Sequence, residues 1–345
     1  MDNIKDALIN PSFRRMPGSR VLKTLDPRMC RHDEKRINQS FLKYQFLILA
    51  TLLLVSTSGF ALLVPPSVNP QWLVENLRQP ELAIIEVSDE VEFAFNGHIP
   101  GSVVTSKSDW RFFDSDGALV HLPIRQLAEK IRKLGVNDSD GVVIYYKGNS
   151  TDEILGAFYL FWLFHLLGHT NVGVLDEGWH GWLNANGPIE TNTGEIQAGS
   201  FVARSLLALE ISTDELNKIR EYYLLVDGRP ESHFKGLTKF QANPRYGRIP
   251  GSVNQPWQDY MRKAVDGRFY ASAPKVPRLL ARLKIDPRRP ILLTCLGGTG
   301  SAFNYAMFYA AGFHNLRVDD AGLRRWNTRR LPLENTNLHQ PEPAP

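Results

Sequence analysis

A chain of 345 residues that is 43% hydrophobic and 22% charged has room for two ordinary domains and lacks the composition of a disordered protein. Its net charge of +4 does not point to nucleic acid, because the basic residues are not gathered on one helix or loop and much of the excess lies in the first 45 positions. Two cysteines, Cys30 and Cys295, exclude a disulfide framework and a cysteine-based zinc cluster.

Residues 1–43 read as a basic tail carrying Arg14, Arg15, Arg20, Lys23, Arg28, Arg31, Lys35, Arg36 and Lys43. Tyr44 to Val64 then run for 21 residues without a charge, enough at about 1.5 Å per residue to span a bilayer core of about 30 Å. The run has no polar face, so it predicts a transmembrane helix rather than a buried core helix. The stretch from there to Pro100 has Arg78 as its only Lys or Arg, which places the tail in the cytoplasm and the rest of the chain outside, in the periplasm of a Gram-negative cell. An alternative is export after cleavage: Gly59-Phe60-Ala61 suits a signal peptidase, and Met29 as the start gives a basic n-region. The apolar run exceeds the roughly 7–15 residues of a signal h-region, which favours the uncleaved anchor.

Past Pro66 one pattern occurs twice. Gly97-His98-Ile99-Pro100-Gly101-Ser102-Val103 returns as Gly247-Arg248-Ile249-Pro250-Gly251-Ser252-Val253, six of seven identical at an offset of 150. Around it LAIIEV (82–87) answers YLLVDG (223–228), and VVIYYKG (142–148) answers ILLTCLG (291–297). Each second strand leads into a helical run, from Ala157 and from Ala302, then a short strand, then EGWHGW against AGLRRW. Continuous apolar strands alternating with helices predict parallel sheets flanked by helices. The fold class is therefore α/β with two tandem domains, residues 68–192 and 201–338, preceded by the one transmembrane helix. The polar segment from Thr191 to Ser200 separates them.

In such sheets the functional loop follows a strand and opens a helix. Here that loop is Cys295-Leu296-Gly297-Gly298-Thr299-Gly300-Ser301. Its three glycines let successive amides converge on the Cys295 sulfur, and the helix N-terminus adds partial positive charge, so both effects are expected to favour a thiolate. A lone cysteine is more often inert core. The strand end, the glycines and the following helix reverse that preference.

LVDGRPESHFKG, GRIPGSVNQPW, CLGGTGSA and the ending around Gly322, Trp326, Pro332 and Glu334 resemble the rhodanese family, in its tandem thiosulfate and 3-mercaptopyruvate sulfurtransferase form. Six residues from Cys295 to Gly300 fit the rhodanese loop, whereas the related phosphatase loop has one more and a closing arginine. The resemblance implies a ping-pong reaction in which Cys295 takes a sulfane sulfur from a small anionic donor such as thiosulfate and passes it, as a persulfide, to cyanide or a thiol. It implies no metal and no organic cofactor. Asp227 and Arg229 match the family's Asp-x-Arg, the arginine holding the donor and the aspartate bracing the site. Lys235 reads as an ordinary solvated lysine, and Trp257 and Trp326 as packing.

The chain departs from the family after the cysteine. Leu296 and Gly297 stand where thiosulfate enzymes carry basic residues and the mercaptopyruvate branch has Gly-Ser, and Arg248 is the candidate replacement cation. In the first domain Tyr146 takes the place of Cys295, and the loop from Lys147 to Gly156 reads as about four residues longer, so that domain is expected to be structural and to wall the cleft. Asp152 and Glu153 on that loop offer a contact for a partner protein. His98, His165, His169 and His180 are scattered and suggest no metal site. Two other readings keep the fold: a sulfur carrier or interaction module without turnover, and a redox sensor, which needs a resolving thiol that Cys30 cannot supply across a membrane.

Overall fold

Aliphatic and β-branched runs set the strands, and a computed structural model describes residues 62–240, 245–272, 282, 286 and 288–335. In chain order the first domain contains β1 (Ser67–Val68), α1 (Pro70–Asn76), β2 (Leu82–Val87), α2 (Glu90–Phe95) and β3 (Val103–Thr105). A hairpin of β4 (Arg111–Phe113) and β5 (Leu119–His121) follows, then α3 (Ile124–Lys133), β6 (Gly141–Tyr146), α4 (Thr151–Leu166), β7 (Val172–Leu175) and α5 (Gly178–Asn184). The second domain repeats this with α6 (Thr213–Ile219), β8 (Leu224–Asp227), α7 (Glu231–Phe234), β9 (Val253–Asn254) and the hairpin β10 (Met261–Lys263) and β11 (Phe269–Ala271). It continues through β12 (Ile291–Thr294), α8 (Thr299–Ala310), β13 (Leu316–Val318) and α9 (Gly322–Thr328).

The first sheet has the order β1-β7-β6-β2-β3 and the second β13-β12-β8-β9, all parallel, as continuous apolar strands require. A parallel bridge of Glu210 to Val318 stands in the second sheet where β1 stands in the first. In register, Glu86 faces Tyr145 and Asp227 faces Thr294, so Tyr146 and Cys295 occupy equivalent places at their strand ends.

The apolar run is only partly visible. Its residues 44–61, and Cys30, lie outside the described residues, among which no helix is long and apolar enough to cross a membrane. Its last three residues, Leu62 to Val64, are tied to the first sheet instead. Val64 is buried and donates its amide to Asn171 Oδ1 at 2.8 Å, while Asn171 Nδ2 donates to Leu62 O at 2.8 Å.

α4 is apolar on every face because it is covered on every face: by its own sheet and by α8 of the other domain. Phe158 meets Phe303 edge-on at 4.4 Å, and His165 Nδ1 lies 2.9 Å from the Tyr305 hydroxyl. Fully buried side chains such as Phe161, Trp162 and Leu163 contribute ~1.5–3 kcal/mol each, far more than helix propensity does. One hydrophobic cluster therefore runs through both domains.

Each domain also lends its hairpin to the other. Phe269 on β11 donates to Gly148 O at 2.6 Å, and Ala271 to the Tyr146 hydroxyl at 2.9 Å. In return β5 places the His121 amide 2.7 Å from Asp320 Oδ2, and the intervening turn sets Asp114 against Arg325 and Asp116 against Arg329. Of the two acids expected to face outward, Asp152 is exposed and pairs with Lys107 at 2.6 Å, whereas Glu153 turns back on its own loop.

Candidate active site

β12 ends at Thr294, which places Cys295 at the carboxyl end of a central strand with its side chain only 4% exposed. α8 begins at Thr299 behind Gly298, whose backbone has φ of 84°. The loop is held by its carbonyls. Leu323 donates its amide to Cys295 O at 2.9 Å and Arg324 to Leu296 O at 3.1 Å, both from the start of α9. Gly297 O accepts from Arg111 Nη2 at 2.5 Å, a residue of the first domain. Gly322 makes the close approach of α9 possible, since a Cβ there would lie 2.6 Å from Cys295 O. With the carbonyls drawn outward, the Ser301 side chain and the amides of Gly297 and Ser301 are the groups that favour charge on the sulfur, although the Ser301 hydroxyl donates to Asp319 O at 3.4 Å.

Those groups favour the thiolate, as the glycine pattern implied, but they do not win in the resting structure. Burial pushes the Cys295 thiol above its ordinary value of 9.0, and Asp227 adds to the rise against the bonds from Ser301 and Gly297. The expectation of a depressed thiol is therefore corrected: the cradle is present, and the exclusion of water outweighs it. The thiolate fraction consequently grows only as pH climbs past the ordinary cysteine range.

The remaining expected residues divide. Ser301 and Gly300 are buried beside the sulfur, with the Trp257 ring packed on Gly300: a Cβ there would lie 2.8 Å from Trp257 Cδ1. Leu296, Gly297 and Thr299 are partly exposed at the rim and Gly298 is buried. Asp227 and Arg229 lie together at the end of β8, 0% and 2% exposed. Their pair is bidentate, with Arg229 Nη2 2.6 Å from Asp227 Oδ2 and Nε 3.0 Å from both oxygens, and Nη2 also donates to Gly247 O at 3.0 Å. Arg229 thus braces the GRIPGSV loop, with its charge met by Asp227. Arg248 is paired as well. It pairs with Glu334, lies over the Phe234 ring at 4.7 Å, and lines a cleft of about 590 Å³ with Pro230, Lys235 and Ser252, to which Cys295 does not contribute. Lys235 is half exposed and pairs with Glu231 at 2.6 Å, and Trp326 is fully buried.

The first-domain counterpart is closed by its own side chains. Tyr146 is buried, and its phenol is pushed up by that burial while it accepts from Ala271. Lys147 is buried over the Trp179 ring at 3.5 Å, bonded to Gly97 O and 3.9 Å from Glu86. Glu153 fills the anion position, accepting from the amides of Gly148 at 2.8 Å and Asn149 at 3.1 Å, and burial raises its pKa to about 7. This loop is one residue longer than its active counterpart, not about four: Ser150 caps α4 through the Glu153 amide, so Thr151 to Gly156 are helix.

Residues that sequence reasoning missed lie beneath and across the loop. Asp320 is buried, accepts from Tyr159 at 2.8 Å and lies 3.6 Å from Arg111. Burial works against charge on His121, but Glu210 and Asp320 hold its pKa up at about 9. His121, Glu210 and Asp320 come within 4.8 Å of one another, yet Arg111 and Tyr159 already occupy Asp320, so this is an ion-pair junction between domains. No local signal marked Arg111, since its partner is 186 positions away.

The chain is 26% identical over 289 residues to thiosulfate sulfurtransferase of Mus musculus, covering 77% of this chain and 93% of the relative. It is 27% identical over 275 residues to the sulfur carrier protein TtuD of Thermus thermophilus, covering 75% and 92%. The fold matches the crystal structure of SseA from Escherichia coli, described there among 3-mercaptopyruvate sulfotransferases, with a TM-score of 0.62 at 22% identity over 75% of this chain and 99% of that one. The family model for the rhodanese-like domain matches twice, at residues 69–185 and 212–329. Two matches in tandem over most of the chain, each centred on one of the two parallel sheets, make this protein a member of the rhodanese-like domain family.

Proposed function

We propose that the chain is a sulfurtransferase that carries sulfane sulfur as a persulfide on Cys295, with a small anionic donor such as thiosulfate and a thiophilic acceptor, cyanide or a thiol. The observation that carries this reading is the sulfur at the strand end, facing the Ser301 hydroxyl and two loop amides while the loop carbonyls point away. The Cys295 thiolate attacks the outer sulfur of thiosulfate, the S–S bond breaks, and sulfite leaves with the electron pair. The persulfide anion formed carries one charge, as the thiolate did, so the same donors stabilise both. Cyanide then takes the outer sulfur as thiocyanate and regenerates the thiolate.

The test is sulfite release from thiosulfate by the full chain in detergent, with cyanide as acceptor, mercaptopyruvate as a second donor and Cys295→Ala as control. Turnover that falls at least 1000-fold in the variant is the expected result. A second reading follows from the 4% exposure of Cys295 and from the relative named as a sulfur carrier: delivery to a dedicated protein. One sulfur loaded per chain without turnover would establish that reading and sink the first.

The apolar run from Tyr44 and the basic tail before it support a membrane anchor with both domains on the extracytoplasmic side. Protease added to spheroplasts should then remove the domains and spare a fragment containing the tail. Protection of the domains would reverse the orientation, and their release in soluble form would favour signal cleavage.

A further inference from the structure

Among the described residues, three guanidinium groups around the loop and its supporting strands are already neutralised: Arg111 beside Asp320 at 3.6 Å, Arg229 on Asp227 at 2.6 Å, and Arg248 on Glu334. A further one belongs to Arg324, in the first turn of α9. Its amide donates to Leu296 O at 3.1 Å, and its stem runs over Gly297, where an added Cβ would meet Arg324 Nε at 3.3 Å and Cδ at 3.4 Å. The side chain is partly buried, and among the described residues its guanidinium has neither an ion pair nor a hydrogen bond. The next arginines on the same helix are both used, Arg325 by Asp114 and Arg329 by Asp116 and Asp214. Arg324 thus sets an uncompensated positive charge over Leu296 and Gly297, the two residues that leave this loop without a cation of its own. A half-buried charge with no partner is costly, and an anion that visits the site offsets that cost.

We propose that Arg324 binds the oxyanion end of the sulfur donor, so that the specificity of this site for anionic donors is carried by α9 rather than by the cysteine loop. This rests on reading Cys295 as the sulfur-accepting nucleophile. The charged groups facing the same loop are Arg111 and Asp320 beneath it, Asp227 on β8, and Asp319, which accepts from Thr294 and the Gly322 amide. All of these have partners, so they do not compete for the donor.

The test compares an anionic and a neutral probe at one sulfur: iodoacetate and iodoacetamide on the full chain, with labelling of the Cys295 peptide followed by mass spectrometry. Arg324→Met should slow iodoacetate about tenfold relative to iodoacetamide, the size of one charge pair near a protein surface, while iodoacetamide labelling keeps its wild-type rate. Arg324→Lys should recover part of the ratio, and added salt should lower it in the wild type but not in Arg324→Met. In the sulfite assay KM for thiosulfate should rise about tenfold in Arg324→Met, with kcat changing less. An unchanged ratio, or equal slowing of both probes, would overturn the proposal. Should the methionine variant not fold, Arg324→Gln carries the same expectation. A wild type that turns over no donor while the probe ratio still falls in the variant would remove the sulfurtransferase reading and leave Arg324 as the anion site.

Discussion

Arg111→Met is expected to lower the thermal midpoint by roughly 10 °C and to cut sulfur transfer at least tenfold, although Arg111 belongs to the domain that has no nucleophile. Its Nη2 donates to Leu119 O and Gly297 O, each at 2.5 Å, its guanidinium lies over the Tyr159 ring at 4.8 Å, and Asp320 is 3.6 Å away. Removing it leaves Asp320, a fully buried carboxylate, to Tyr159, the His121 amide and the His121 ring. Breaking a buried pair from one side costs about 3–5 kcal/mol, because the remaining charge cannot reach water. At about 2–4 °C per kcal/mol in a protein of this size, calorimetry resolves the effect easily. The loss of activity has a separate cause: Gly297 O keeps only the Thr299 amide at 3.1 Å, and the weaker hold lets the loop amides turn off the sulfur. A midpoint within about 2 °C of wild type would show that Asp320 is satisfied without the arginine.

The second large effect is expected at Gly298. Its φ of 84° is already unfavourable for an alanine, and a Cβ there would lie 2.1 Å from Asp320 Oδ1 and 2.5 Å from Asp320 O. One of these is backbone and the other a tethered carboxylate, so the loop rather than its neighbour has to move. Displacing the amides that face the sulfur should cost about 100-fold or more in turnover, the magnitude known for removing fixed donors from a developing anion. Gly312→Ala is the matched control. Its φ of 90° is as strained, but nothing lies within 4 Å of the added carbon, so it should cost about 1–3 kcal/mol of stability and no activity. Sulfite release by the two variants side by side decides the point: if Gly298→Ala retains more than about a third of wild-type turnover, the amide cradle is not what activates Cys295.

Much of this architecture is written locally in the chain. The twofold GxIPGSV pattern, the continuous apolar strands and the strand–glycine–helix run around Cys295 each specify backbone shape over a few residues, and the parallel sheets and the loop follow them. The equivalence of Tyr146 to Cys295 was equally legible, since the two strands align in sequence as they do in register. What the sequence could not assign was the state of each charge. Arg229 and Arg248 looked available, but Asp227 and Glu334 occupy them, and Glu334 is 86 positions from its partner. The loop after Tyr146 looked long although Ser150 with Glu153 three residues on, before an apolar run, is a local helix-start pattern; what nothing local says is that Glu153 folds back into the amides. The cradle around Cys295 looked acidifying because glycines and a helix start are visible in sequence, whereas the burial that outweighs them is set by Trp257, α9 and the hairpin of the other domain. Hydrophobic period and glycine placement are properties of neighbouring residues, and the sequence by itself determined the fold and the place of Cys295 at a strand end through them. Which cations remain free, and how much water reaches the sulfur, depend on side-chain contacts that form only on folding, from the Arg229–Asp227 pair two positions apart to the bond from Arg111 to Gly297 O across 186, and only the tertiary structure decided them.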